Sequence, residues 1–259
     1  MKIYFIIDDT NFFIPDYLAG VVSQLEADQQ ILGLTPIRQL HGPTIYSYIT
    51  RNIWLLSPLQ IIKLAITYFK TIIGKICFDY HLTDKPYTIE QVAKKYQIPI
   101  FNFPKINHPE FIKHLKQLNT DLVISSCSAI FKTELLKAPK YGCINRHSAL
   151  LPSYGGLFPI FQAMINQESL LGVTVHYMVE KIDQGQIIYQ DYFKAQPNDS
   201  LFYNYQLSYQ LSIPVTVAAV RAIKSRNFRV IKSKSKPSYY SFPTADDWQR
   251  FYKLKLKFI

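Results

Sequence analysis

The chain has 259 residues, 48% hydrophobic and 18% charged, enough apolar mass for one large domain or two small ones and too much for wholesale disorder. Its formal charge is +11, and seven basic residues with no acid fall between Arg221 and Lys236, which suits an anionic partner (nucleic acid, anionic lipid or a phosphorylated substrate) or a solvated basic face. The three cysteines, Cys77, Cys127 and Cys143, fit no metal or redox spacing and read as free thiols of a reducing compartment.

Residues 2–8, KIYFIID, form an apolar run ending in Asp8, the pattern of a fully buried parallel strand. A signal peptide would carry a longer apolar core and a cleavage site. Apolar residues at helical spacing follow from Pro15 to about Glu26, and ILGLTPI at 31–37 is a second strand. A helical insertion is expected over about 44–80. Within it, from Leu59 to Ile76, the polar positions Gln60, Lys63, Thr67, Lys70, Thr71 and Lys75 recur every three or four residues in an otherwise apolar helix. Pro58, Lys63 and Lys70 argue against a membrane span. The helix is expected to pack deep in the domain or in an oligomer interface. The competing reading lays it in a membrane surface with its lysines toward the headgroups.

Strand and helix signals then alternate: a helix at 88–97 with a Thr-x-x-Gln cap, a strand at 98–103, a helix at 109–118, a strand at 121–126, a short helix at 131–139 and a strand at 141–147. This is the pattern of an α/β fold, an open, mostly parallel sheet with helices on both faces, whose ligands bind beyond the carboxyl ends of the strands. A helix at 157–167, a β-pair at 172–180 and 186–194, and a helix at 199–224 follow. The remainder, with Pro237 and Pro243, reads as a C-terminal extension. With no repeat or linker to mark a boundary, the chain divides into a catalytic domain, 1–196, and a C-terminal helix with a basic extension, 197–259.

Two segments carry chemistry, INRHSALLPSYGG at 144–156 and GVTVHYMVEKIDQGQIIYQ at 172–190. Asn145 and His147 are two apart on a strand, so their side chains leave the same face, at the carboxyl end where an α/β site is built. Asp183 sits in the loop between two strands, and Gly185 allows that loop its sharp turn. A carboxamide N–H can stabilise an oxyanion, an imidazole can share that role or take a proton, and a carboxylate can orient the imidazole. The set is sufficient for acyl transfer to an amine with no metal and no covalent nucleophile. His176 reads as a supporting hydrogen-bond partner that orients the Asp183 loop. His108 and His114 are expected at the surface, Cys127 and Cys143 as small core residues, and Trp54 and Trp248 as packing residues.

The two segments resemble the active-site motifs of the folate-dependent formyltransferase family, which includes glycinamide ribonucleotide, methionyl-tRNA and sugar N-formyltransferases. The family pattern is Asn-x-His, then Ser-x-Leu-Leu-Pro, then Gly-Val-Thr-x-His with an Asp a few residues on. Asn145, His147, Leu150, Leu151, Pro152, His176 and Asp183 match it. The resemblance covers roughly 90–195; residues 44–80 and the chain end depart from it, and Gly155 stands where many members have Arg. It implies a Rossmann-like fold and 10-formyltetrahydrofolate as co-substrate. The implied pterin pocket is Ser126, Cys127, Ser128, Ala129 and Ile130 with Glu180, Lys181 and Ile182, lined further by Phe131 and Leu135. Asn145 would stabilise the oxyanion, His147 share that role and manage the proton, and Asp183 orient His147 and the amine. The expected acceptor is an amino sugar, nucleotide-linked or lipid-linked, because the chain has the size of the sugar enzymes and lacks room for the barrel of the tRNA enzyme. DDTNFF at 8–13, in place of a glycine-rich phosphate loop, argues against a ribonucleotide acceptor. The alternatives are a tRNA acceptor held by the basic tail, and a catalytically idle, membrane-associated binding module. A cytoplasmic protein is expected, with peripheral contact to the inner membrane face through 59–76 and the basic tail left open, as is an oligomer.

Overall fold

The computed structural model of the protein describes residues 1–9, 12–25, 29–37, 56–226 and 236–259. Glu26, residues 44–55 of the expected insertion with Trp54, and Arg229, Lys232 and Lys234 of the basic run lie outside the described residues. The strands are β1 (Lys2–Asp8), β2 (Gln30–Ile37), β3 (Leu122–Ser126), β4 (Cys143–His147), β5 (Gly155–Gly156), β6 (Leu170–Tyr177), β7 (Ile187–Lys194) and β8 (Tyr239–Tyr240). The helices are α1 (Ile14–Gln24), α2 (Pro58–Asp79), α3 (Ile89–Tyr96), α4 (Pro109–Gln117), α5 (Thr133–Leu136), α6 (Pro159–Ile165), α7 (Leu201–Ser225) and α8 (Ala245–Lys253).

Six strands make one sheet in the order β2-β1-β3-β4-β6-β7, and β5 pairs separately with β8. Pairing is parallel from β2 through β4 and antiparallel from β4 through β7. The unbroken apolar run of β1 follows from its central place. Ile3, Phe5 and Ile7 face one core with Tyr17 and Leu18 of α1, Val92 of α3 and Val220 of α7. Tyr4 and Ile6 face the opposite core with Phe111 and Leu115 of α4, Phe131 and Leu135. Successive side chains of one strand thus hold both helical layers in place. Val215, Val217, Ala219 and Val220 of α7 lie in the same core as β1. Farther on, Trp248 and Phe251 of α8 pack on Phe161 of α6, with ring centroids 4.8 and 5.1 Å apart.

Several expectations change on folding. Residues 98–103 make only an isolated bridge, Ile100 to Leu34, because Pro99 has no N–H to extend a ladder. His114, expected at the surface, is half-buried: its ring sits against Tyr4, Phe101 and Phe103, and burial lowers its pKa. Thr88 does cap α3 by accepting from the Gln91 N–H, but the Gln91 side chain binds α2 and the Tyr87 N–H instead of closing the box. The expected burial of α2 in the domain is also overturned. Of its residues only Gly74 is buried, and Leu59, Ile62, Ile66, Phe69, Ile73 and Ile76 are exposed. No helix among the described residues is long and apolar enough to cross a membrane.

Candidate active site

The carboxyl ends of β1, β3 and β4 meet along one edge of the sheet. The antiparallel register of β4 and β6 sets Asn145 opposite His176 and His147 opposite Thr174. Directly opposed residues share a face, so these four side chains stand together on one side of the sheet. Thr174 fastens the loop that leaves β4: its hydroxyl donates to the Ala149 carbonyl at 2.6 Å and accepts from the Leu151 N–H at 3.1 Å. Beyond it, the 236–240 segment grips the same loop through Ser238 N–H to the Pro152 carbonyl at 3.1 Å and Gly155 N–H to the Ser238 carbonyl at 2.9 Å.

Asp183 arrives from the turn after β6 and itself holds the left-handed conformation, φ +54°, that the sequence suggested for its neighbour. Gly185 is required for another reason: a Cβ there would collide with the Tyr177 carbonyl. Oδ2 of Asp183 accepts from the Gly156 N–H at 2.7 Å and lies 3.7 Å from Nδ1 of His147, and Oδ1 lies 3.5 Å from Nε2 of His176. Burial pushes the carboxyl pKa up, but the two histidines and the Gly156 N–H outweigh it and hold it well below the usual carboxylate range. Asp183 is therefore a buried anion.

His147 sits the opposite way. Burial lowers its pKa more than Asp183 and the Tyr154 carbonyl raise it, so the ring is neutral at neutral pH. A carbonyl can only accept, so the 2.8 Å contact to the Tyr154 oxygen makes Nε2 the protonated nitrogen. Nδ1 is left as an acceptor facing the Asp183 carboxylate across 3.7 Å. Two acceptors facing each other at that distance are poised to share an incoming proton. Asn145 completes the group: its carboxamide oxygen is buried with no hydrogen-bond partner among the described residues.

These residues line a cavity of about 520 Å³. Ser126, Cys127, Ser128, Ala129, Ile130 and Phe131 form one wall, with Glu180 and Ile182 beside them. Glu180 accepts a hydrogen bond from Thr133. Lys181 is exposed and lies outside the lining, and Leu135 is buried in the core beneath it. The opposite wall was not foreseen. It is aromatic, with Phe13 stacked on Tyr209 at 5.1 Å and tilted against Phe202 at 4.9 Å, and with Tyr205, Phe258 and Leu64 of α2 beside them. Arg146, between the two active-face residues but pointing away from them, lies 3.6 Å over the Tyr209 ring and donates from Nε to Ser212 at 2.8 Å. Asp8, at the end of β1, also reaches the cavity, and burial pushes its pKa up to about 7. Its place at the carboxyl end of a central strand was the one sequence signal for it; the Tyr154 carbonyl and the aromatic wall left none.

The sequence model of the formyl transferase family matches residues 77–210. A methionyl-tRNA formyltransferase of Staphylococcus aureus (strain JH1) is 39% identical over 117 residues, 45% of this chain and 38% of that protein. The chain thus spans well under two thirds of the length of the curated relatives it matches. Among solved structures, a sugar N-formyltransferase from a Shewanella species superposes with a TM-score of 0.58 at 18% identity, over 93% of this chain and 77% of that one. An N-formyltransferase from Helicobacter canadensis in complex with folinic acid and dTDP-3-aminofucose superposes with a TM-score of 0.57 at 18% identity, over 100% of this chain and 84% of that one. At such identities the likeness is one of fold.

Proposed function

Because this chain belongs to the formyl transferase family, we propose that it transfers a formyl group from 10-formyltetrahydrofolate to a primary amine. The observation that carries the reading is the meeting of a carboxamide, a neutral imidazole and a buried carboxylate on one wall of a cavity large enough for a folate ring. The pterin end would lie against 126–130 with Glu180 and Ile182, and the amine acceptor against the aromatic wall. The amine nitrogen attacks the formyl carbon, a C–N bond forms, and the carbonyl oxygen becomes an oxyanion that the Asn145 N–H stabilises. The amine sheds its proton into the gap between His147 Nδ1 and Asp183 Oδ2, 3.7 Å wide. Collapse of the intermediate breaks the bond to the folate nitrogen, which takes up that proton. His176, pinned by Nδ1 against the Tyr177 carbonyl at 2.8 Å, presents Nε2 3.5 Å from the other Asp183 oxygen at the back of the carboxylate.

An amino sugar is the favoured acceptor. Stacked aromatic side chains suit a sugar or a base face, and the Helicobacter neighbour was solved with a nucleotide-linked amino sugar. A methionyl-tRNA acceptor is the second reading, supported by the 39% identity to the Staphylococcus enzyme. Titration with folinic acid tests the donor half: saturable binding by wild type is expected, and its absence at millimolar ligand would overturn the reading. Formyl transfer to amino-sugar nucleotides but not to methionyl-tRNA separates the two acceptors.

A further inference from the structure

Helix α2 is inside out. It begins at a capping box between Ser57 and Gln60, with Pro58 in the first turn. Gln60, Leu64, Thr67, Thr71, Gly74 and Phe78, spaced four and three residues apart, are its half-buried or buried positions, with Cys77 beside Phe78; the remaining positions are exposed. At about 100° per residue this stripe occupies roughly 80° of the circumference and is the side that meets the domain. Its middle is small or polar. The Thr67 and Thr71 hydroxyls return to the helix carbonyls four residues back, and Gly74 lets the helix close on the Tyr87 ring. Gln91 of α3 locks the far end by donating to the Lys75 carbonyl at 2.9 Å and to Asp79 at 2.8 Å.

The outward side carries the apolar residues: Leu59, Ile62, Ile66, Phe69, Ile73 and Ile76 fall on one arc with Ile61, Ala65 and Ile72, roughly 160° wide at the same spacing. Phe69, near its centre, is 62% exposed. A helix serving only the core of a globular domain turns such an arc inward. Lysines border the arc on both sides, Lys63 and Lys70 along one edge and Lys75 beside Tyr68 along the other, and the helix has no acid before Asp79, which is engaged with Gln91. This distribution selects among occupants. A second copy laid on the arc would bring two lysine-bordered faces together. An anionic bilayer takes both features at once, the arc among the acyl chains and the lysine stems reaching up to phosphate level.

We propose that α2 lies flat in an anionic lipid surface with this arc down and Lys63, Lys70 and Lys75 at the headgroups. Leu64, on the inward stripe of the same helix, lines the catalytic cavity, so the lipid-facing element is also a wall of the site. The test is flotation of the purified full chain with vesicles of phosphatidylcholine alone or mixed with phosphatidylglycerol, beside the Phe69→Glu/Ile73→Glu and Lys63→Glu/Lys70→Glu/Lys75→Glu variants. Wild type is expected to float with the anionic vesicles and far less with the neutral ones. Each variant should lose about tenfold or more of that partitioning while keeping folinic acid affinity and circular dichroism, since the altered side chains are exposed. Three results overturn the proposal: wild type left at the bottom with anionic vesicles, wild-type flotation by both variants, or a dimer in sedimentation velocity that vesicles do not compete with and Phe69→Glu abolishes.

Discussion

Asp183→Asn keeps the shape of the side chain and removes its charge. The Gly156 N–H, 2.7 Å from Oδ2, can still find an oxygen, so the turn is held and the fold should lose only about 1 kcal/mol, the difference between a charged and a neutral acceptor. Catalysis should suffer far more. When the amine proton lands on His147 Nδ1, the imidazolium in wild type faces a carboxylate oxygen 3.7 Å away. Two unit charges at that separation and an effective dielectric constant of about 20 attract by about 4 kcal/mol, and each 1.36 kcal/mol is a factor of about ten in rate. The variant forfeits that attraction in the transition state, so kcat should fall on the order of a thousandfold, within the usual range for loss of a general acid–base group. The assay pairs transfer of labelled formyl at saturating donor with calorimetric titration of folinic acid. Donor affinity should stay within about threefold, because the carboxylate acts on the amine. A kcat within tenfold of wild type, in a protein that melts normally and binds folinic acid, would refute the proton-trap argument.

Asn145→Ala removes the proposed oxyanion donor, and kcat should drop about a hundred- to a thousandfold with donor affinity nearly unchanged in titration. Burial lowers the His147 pKa below its ordinary 6.5, so the neutral working ring persists through that pH. The rate should therefore stay flat from neutral down past 6.5 and fall only in more acid buffer, which a kcat–pH profile reads. By linkage, the unfolded chain protonates this histidine before the folded one does, so acidification below about 6.5 costs stability, and the melting temperature of His147→Gln should decline less steeply there. Gly156 has φ +89° and its Cβ would run into the Tyr240 carbonyl. Gly156→Ala should lose about 1–3 kcal/mol in a denaturant titration and most of the activity, since the same N–H holds Asp183.

Much of this molecule is written in short-range pattern. An unbroken apolar run of five residues, Ile3 to Ile7, marks a central strand, and β1 feeds both cores with alternate side chains. Period-two geometry alone puts Asn145 and His147 on one face, and the motif order brings in Asp183 and His176. Other features belong to long-range packing. The register of β4 against β6 sets Asn145 opposite His176, and the Tyr154 carbonyl, a group every residue owns, selects the His147 tautomer. The ring of His114 packs on Tyr4 of β1, far along the chain, and on Phe101. Helix α2 marks the boundary most sharply. Its threonine stripe and its isoleucine arc share one period, so periodicity says that two faces exist and cannot say which one turns inward. Gly74 against Tyr87 and Gln91 against the Lys75 carbonyl and Asp79 decide it, because this close approach and these bonds hold the threonine stripe against the domain, and that leaves the apolar arc outward.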